Sequence, residues 1–383
     1  EMKLDICMKR IISITTGTRA DYGILKPVIQ EIKNSKNLDF HLIVTGMHLH
    51  NKFGKTIDEI KSDGYKISSI VKTDLSNDSL ISNSLNLGNS IIGFSKVFKK
   101  IKPDINLVLG DRDEMLSSSL AASHMNIPNA HIHGGDKSKG TIDEYNRHAI
   151  TKISNIHFAA TIKSKNRIIK MGENPKYVFL TGSPSIDEVI SNKFVKPNNL
   201  DLDLIQKSIL LVHHSQTTEP LQSEKEILKI LTIIKSLKKQ VIAISPNSDY
   251  GNEKIFKALK RFSKNYNFIK LYKSLPRNQY LYLLKNCDML IGNSSSGIIE
   301  GSYFEIPVIN IGIRQMNRDM DKTIINLKNP SAISLKKAIL KSENNKKLKK
   351  QKIYGKGNSS KIIIRILEKI NLNNQLIQKQ LSY

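Results

Sequence analysis

At 383 residues the chain is long enough for two or three domains, and 39% hydrophobic residues can fill real cores, which excludes global disorder. No apolar run approaches the about 18 residues of a membrane-spanning helix, the opening residues given do not read as a signal-peptide pattern, and two cysteines, Cys7 and Cys287, can frame neither a disulfide scaffold nor a thiolate metal cluster. Sixty Lys and Arg against 34 acids give a net charge of +26. That balance draws in anions, but only ten of the sixty are Arg, and the densest run, Lys346–Lys352, has no interleaved aromatic residues on which bases could stack.

In chain order, Arg10–Thr15 reads as a buried strand, followed by Gly17 and a helix from about Tyr22 with Pro27 in its early turns. Phe40–Thr45 is the next strand and Phe53–Ser62 the next helix. Ile105–Leu109 is a continuous apolar strand ending at Gly110 and Asp111. A helix over Glu114–Met125 and a strand over Asn129–Ile132 repeat the unit, and Ile156–Ala159 and Tyr177–Leu180 complete the strands of the first half. Lys207–Val212 starts the pattern again, with a helix over Glu224–Leu237, a strand over Val241–Ile244 and a helix over Lys254–Phe262. Phe268–Leu271, Met289–Ile291 and Val308–Ile311 are further strands, with helices over Asn278–Lys285 and Gly297–Phe304. Such alternation predicts an α/β protein of two doubly wound, Rossmann-like domains with parallel sheets. Ser191–Asn199, carrying Pro197, is the linker, which divides the chain into 8–190 and 191–360. Ligands of such domains bind at the carboxyl ends of the strands, so a cleft between the two is the expected site.

The polar clusters fall at those strand ends. Gly292–Gly297 (GNSSSG) lies between a strand and a helix, where free backbone N–H groups, the helix dipole and three hydroxyls suit a diphosphate. Glu300, one turn on, can accept bonds from ribose hydroxyls. Thr16–Tyr22 (TGTRADY) places Arg19 and Asp21 after the first strand; it is no GxGxxG fingerprint, which disfavours a nicotinamide cofactor. Gly110–Glu114 (GDRDE) crowds four charged residues at one strand end, where burial raises a carboxylate pKa and Arg112 lowers it. In His131–Asp136 (HIHGGD), strand alternation puts His131 and His133 on one face. With Asp136 they could be metal ligands, although no distant ligand set accompanies them. Thr141–Glu144 and Arg147–His148 follow, the latter pair in the first part of a helix. His213–Thr218 and Ser245–Asp249 end the first two strands of the second half.

Together these strings resemble the UDP-N-acetylglucosamine 2-epimerase family, specifically its hydrolysing branch, in order from about Lys9 to about Leu367. TGTRADYG, TGMHL, GDRDE, GTIDE with RHAITK, HHSQTT, SPNSD, GNSSSG with Glu300, and PVINIGIRQ all match family blocks. The resemblance implies a GT-B-like fold with a C-terminal helix, 361–383, returning to the first domain. It implies that Ser294, Ser295 and Gly297 hold phosphates, Glu300 the ribose, and that His214, Asn247 and Arg314 flank the diphosphate. Arg19 reaches across from the first domain, and Asp21 and His48 join the substrate site. Asp111, Arg112, Asp143 and Arg147 are the implied acid–base and charge-stabilising groups. One departure stands out: where the family commonly carries Glu in an H-x-E pattern, this chain has His133, so either His133 or Asp136 takes the proton-handling role.

The implied reaction removes the C2 proton of a UDP-2-acetamido sugar as UDP leaves C1, forming a 2-acetamidoglycal. Water then adds at C1 and a proton returns at C2 from the other face. The products are UDP and the free manno-configured sugar, N-acetylmannosamine or its 2,4-diacetamido-6-deoxy analogue. No metal and no cofactor are expected, and the partners are the UDP-sugar and water. Neither nucleic acid nor membrane is expected as a partner; a homo-oligomer, dimer or tetramer, is. A reduced, cytoplasmic setting is anticipated, and, since Glu1 is no initiator, a start at Met2 or Met8. The rival readings are a non-hydrolysing epimerase, which re-adds UDP, and a GT-B glycosyltransferase.

Overall fold

The computed structural model describes residues 9–76, 79–191, 193–198, 200–344 and 351–382. The expected start at Met2 or Met8, Cys7, and residues 346–350 of the basic run lie outside the described residues.

Seven parallel strands build the first sheet: β1 (Arg10–Thr16), β2 (Leu38–Val44), β3 (Ile67–Ile70), β4 (Ile105–Leu109), β5 (Asn129–Ile132), β6 (Ile156–Ala159) and β7 (Val178–Leu180), in the order β3-β2-β1-β4-β5-β6-β7. Six more build the second: β8 (Ser208–Val212), β9 (Gln240–Ile244), β10 (Ile269–Tyr272), β11 (Met289–Gly292), β12 (Val308–Ile311) and β13 (Ile325–Leu327), in the order β10-β9-β8-β11-β12-β13. Each order reverses beside the first strand of its sheet, between β1 and β4 and between β8 and β11, which opens a crevice at the carboxyl ends. Helices cover both faces, so the central strands β4 and β8 are mostly apolar and buried along their length. Ile12, Ile14, Leu42 and Leu107 pack beneath Leu25, Val28 and Ile32 of the helix Arg19–Asn34. Ile209, Leu211 and Val241 do the same beneath Ile227, Ile230 and Ile234 of Pro220–Leu237.

Several boundaries differ from the sequence reading. The first helix begins at Arg19, not Tyr22, because Thr18 and Asp21 form a capping box; Pro27 therefore falls in the helix interior rather than in its early turns. The expected helix Phe53–Ser62 splits into a 3-10 turn, Asn51–Phe53, and a helix, Ile57–Ser62, because Gly54 takes a left-handed φ of 93° between them. The helix Leu80–Ile101 was not legible: Ser and Asn interrupt its apolar pattern, and the residues it buries are Ser90, Phe94 and Phe98. The helix Ser359–Lys369 packs on Arg19–Asn34 and adds Ile363, Ile364 and Leu367 to the first sheet's core. Its N-terminal amides, Ser359 N–H (3.0 Å) and Ser360 N–H (2.6 Å), donate to the Asp187 carboxylate. Among the described residues no helix is long and apolar enough to cross a membrane.

Candidate active site

The strand ends of the two sheets face each other across a cavity of about 320 Å³. Six of the chain's ten arginines line it: Arg19, Arg112, Arg147, Arg277, Arg314 and Arg318. Scarce guanidinium groups are gathered where a multiply charged anion would sit, while Lys dominates elsewhere.

On the second-sheet side, the turn after β11 needs Gly292: at φ 140°, a Cβ there would lie 1.9 Å from the Val212 carbonyl oxygen. This tight approach leads into Ser294, which caps the helix Ser295–Tyr303, so that Ser294, Ser295 and Ser296 line the cavity at the helix N-terminus. Gly297 does not line it. Its N–H donates to the Ser294 carbonyl (3.3 Å) and its bare Cα lets the helix lie against Leu290 and Val308, which corrects the expectation that it holds phosphate. Glu300 is buried with Oε1 accepting from Arg277 Nη2 (2.5 Å), while Oε2 has no hydrogen-bond partner among the described residues. His214 lines the cavity, and its Nδ1 accepts the Asn247 N–H (3.2 Å), so a neutral ring carries its proton on Nε2. Burial, with Arg314 nearby, pushes its pKa down to about 3, which keeps it neutral.

Arg314 and Arg112 tie the two halves together. Arg314 donates through Nη1 to Asp249 Oδ2 (2.6 Å) and through Nη2 to Asp143 Oδ2 (2.9 Å) on the first-sheet side. Arg112, at the end of β4, donates to Ser248 Oγ (2.8 Å) and meets Asp249 (3.5 Å) and its own neighbour Glu114 (3.2 Å). Burial and the nearby Asp249 raise the Asp143 pKa to about 6. Asp249 stays ionised, held to about 2 by Arg314 and Arg112 against the burial that would raise it.

On the first-sheet side, Asp111 is paired with Arg147, which also donates to the Ser138 hydroxyl (3.2 Å) and the Asp136 carbonyl (3.3 Å). Burial and the guanidiniums of Arg318 and Arg314 lower the proton affinity of Arg147 well below the usual arginine value. His133 and Asp136 do not stand side by side in the cavity. The His133 ring lines it, whereas Asp136 lies behind, 2% exposed, with every close partner a donor: His133 Nδ1 (3.1 Å), Arg318 Nη2 (2.8 Å) and Ser164 Oγ (2.7 Å). Arg318, His133 and Ser164 overcome burial and hold the Asp136 carboxyl well below the usual range.

Three further expectations need correction. His48 does not reach the cavity: it is fully buried, with Nε2 on Thr16 Oγ1 (3.0 Å) and Nδ1 on Thr56 Oγ1 (2.6 Å), and burial drives its pKa down to about 3. Asp21 touches the cavity edge but spends its oxygens on the turn, accepting from Thr16 Oγ1, Gly17 N–H, Thr18 N–H and Thr18 Oγ1. Burial raises its pKa to about 6. His131 does not share a face with His133. It is buried in β5 with Nε2 on the Gly110 carbonyl (2.7 Å), whereas His133 lies past the strand end at a left-handed φ of 65°. Among the described residues no cluster of three His, Cys, Asp or Glu is placed to hold a metal ion. Arg19 does reach across, to Ser274 Oγ, while its Nε is held by Glu59 (2.5 Å). Sequence reading missed Arg277, Arg318, Ser138, Gln315 and Tyr280, all on the cavity wall. The rarity of Arg was the available signal for the first two.

The fold and site define a GT-B-like α/β protein of two parallel sheets with an arginine-lined cleft between them. The profile of the UDP-N-acetylglucosamine 2-epimerase family matches residues 30–368. The chain is 36% identical over 380 residues to the UDP-N,N'-diacetylbacillosamine 2-epimerase (hydrolyzing) of Legionella pneumophila, covering 98% of this chain and 100% of that one. It is 34% identical over 321 residues to a UDP-N-acetylglucosamine 2-epimerase of Neisseria meningitidis serogroup B, covering 83% of each. Its fold is similar to that of the Methanocaldococcus jannaschii UDP-GlcNAc 2-epimerase crystallised with UDP-GlcNAc and UDP (TM-score 0.79, 24% identity, 93% of this chain and 99% of that one). The chain belongs to the UDP-N-acetylglucosamine 2-epimerase family, in its hydrolysing branch.

Proposed function

We propose that the protein converts a UDP-2-acetamido sugar and water to UDP and the free manno-configured sugar, and that its preferred substrate is the 2,4-diacetamido-2,4,6-trideoxy sugar of UDP-N,N'-diacetylbacillosamine. The observation that carries the reaction is the division of the cleft: a helix N-terminus, neutral His214 and Arg314 on one wall, Asp111 and His133 on the other. The relative matched end to end at 36% identity supports the substrate.

UDP lies along the second-sheet wall. Ser294, Ser295 and Ser296 receive the diphosphate, His214 donates from Nε2, and the unpartnered Glu300 Oε2 accepts from the ribose. Arg314 and Arg112 turn from Asp249 and Asp143 toward the phosphates, since a doubly charged ligand competes with carboxylates for the same planar fork. Charge growing on departing UDP is stabilised by these donors; the preorganised ones, the serine turn at the helix N-terminus and His214, are each worth roughly 3 kcal/mol in such settings. His133 and Asp111 are the acid–base groups at C2 and C1, Arg147 orients Asp111, and Asp136 orients the imidazole from behind rather than serving as the base. Water enters at C1 only after UDP has left, and the closed halves exclude it until then.

We place the domain boundary at 190/191, with 361–383 belonging to the first domain, a division supported by the packing of Ser359–Lys369. The working form is a cytoplasmic homo-oligomer, dimer or tetramer, that supplies precursors of legionaminic-type acids. The test is a comparison of kcat/KM for UDP release from UDP-N,N'-diacetylbacillosamine and from UDP-N-acetylglucosamine. A clear preference for the first supports the substrate assignment; a preference for the second overturns it and leaves the reaction standing.

A further inference from the structure

We propose that Arg318, supplied by the second-sheet half, is a positioning residue for the acid–base group of the first: it fixes Asp136, Asp136 fixes the His133 imidazole, and the dyad is complete only when the two halves are together. The inference rests on the epimerase reading of the cleft. Arg318 Nη2 and His133 Nδ1 donate to the same oxygen, Asp136 Oδ2, at 2.8 Å and 3.1 Å. The other oxygen takes the Ser164 hydroxyl (2.7 Å), so Asp136 is anchored from both halves of the molecule. On its far side, the His133 ring meets Ser183 Oγ through Nε2 (2.8 Å). These bonds clamp a residue whose backbone is in the left-handed region, at φ 65°, directly before Gly134 and Gly135. A His there is strained, and a strained residue persists only where its surroundings over-determine it.

Arg318 is itself wired to the nucleotide wall. Its Nη1 donates to Gln315 Oε1 (3.1 Å), and Gln315 Nε2 donates to the carbonyl of Asn293 (3.0 Å), the residue that leads into the serine turn. A continuous hydrogen-bonded path thus runs from the proposed diphosphate cradle through Gln315, Arg318 and Asp136 to the imidazole. It offers a way for an occupied nucleotide site to set the proton acceptor at C2. The charged and titratable groups facing Asp136 are His131, His133, Arg147, Arg318 and Tyr354. Arg318 is the strongest influence favouring the carboxylate there, opposing burial. Removing it lets Asp136 take up a proton at higher pH, and a protonated Asp136 no longer accepts from both Nδ1 and a cation.

Full-length wild type, Arg318→Met and Arg318→Lys separate this role from the alternatives by turnover, UDP calorimetry and ¹⁵N NMR of the His133 ring, assigned with His133→Gln. We expect Arg318→Met to lower kcat about 100-fold and to move the acid limb of the kcat profile up by about one pH unit or more, with UDP affinity unchanged. Arg318→Lys should restore part of kcat and return the acid limb toward the wild-type position. Weaker UDP binding with kcat intact would make Arg318 a phosphate contact and overturn the proposal, as would a lowered kcat with an unmoved acid limb. If wild type turns over neither UDP-sugar, the epimerase reading fails, and the imidazole signal decides the positioning role by itself. Nδ1-protonated His133 in wild type and its loss in Arg318→Met support the role; the same tautomer in both overturns it.

Discussion

Replacing Arg314 by Met removes the cation that two carboxylates from opposite halves share. Arg314 Nη1 lies 2.6 Å from Asp249 Oδ2 and 2.8 Å from the Ser215 carbonyl, and Nη2 lies 2.9 Å from Asp143 Oδ2. Breaking a buried ion pair from one side costs about 3–5 kcal/mol, because the remaining charges stay desolvated. Asp143 moderates that cost: burial and Asp249 have already raised its pKa to about 6, so it takes up a proton readily once the guanidinium is gone. The expected loss is about 2–4 kcal/mol at about pH 7.5 and smaller at about pH 5.5. The diphosphate loses a charge-assisted bond of about 1.5–3 kcal/mol, which weakens UDP roughly 10- to 150-fold. Urea unfolding at the two pH values and UDP calorimetry measure both effects. A stability loss that does not change with pH, or wild-type UDP affinity, would refute this account of the Arg314 cluster.

Asp111→Asn should lower turnover at least about 100-fold with UDP binding retained, measured by UDP release and calorimetry; wild-type turnover would remove Asp111 from the chemistry. Ser295→Ala combined with Glu300→Ala should weaken UDP by about 2–4 kcal/mol in calorimetry, since it deletes a donor in the serine turn and the unpartnered acceptor on the helix. The Asp143 pKa in the fold lies above its unfolded value, so the stability it contributes is full below about pH 4 and is lost as pH rises through about 6. Asp143→Asn lacks that loss, so its melting temperature should gain on wild type between pH 4 and pH 7. A constant difference across that range would contradict the raised pKa. Gly292→Ala should destabilise by about 3 kcal/mol or more, since its Cβ would meet the Val212 carbonyl at 1.9 Å in a left-handed backbone. Urea unfolding close to that of wild type would show that the turn can relax.

The strands were legible because parallel strands buried on both faces are short runs built on Ile, Leu, Val, Phe and Ala, here with single buried Asn or His residues among them: Ile105–Leu109, Asn129–Ile132, Ile156–Ala159 and Val308–Ile311 stand where the sequence put them. Helices that bury little were not legible. Leu80–Ile101 is an example, because Ser and Asn positions carry no periodic apolar signal. Most of the cavity wall was readable as polar strings at strand ends. Three failures share one physical cause, the difference between lying at a strand end and facing the cleft. His48 and Asp21 are consumed by the turns they build, and Gly297 is there for close packing. Strand alternation placed His131 and His133 together, and it failed because β5 ends at Ile132 and the next residue turns left-handed. Arg277 and Arg318 sit on helix and loop positions without a motif; only the fold brings them to the cleft.

Hydrolysis of a UDP-sugar with inversion at C2 can be followed by proton NMR in D2O with UDP-N,N'-diacetylbacillosamine and, separately, with UDP-N-acetylglucosamine. The expected result is release of UDP together with a free manno-configured sugar that carries deuterium at C2. A deuterated UDP-sugar without release, or UDP release with the C2 hydrogen retained, would contradict it.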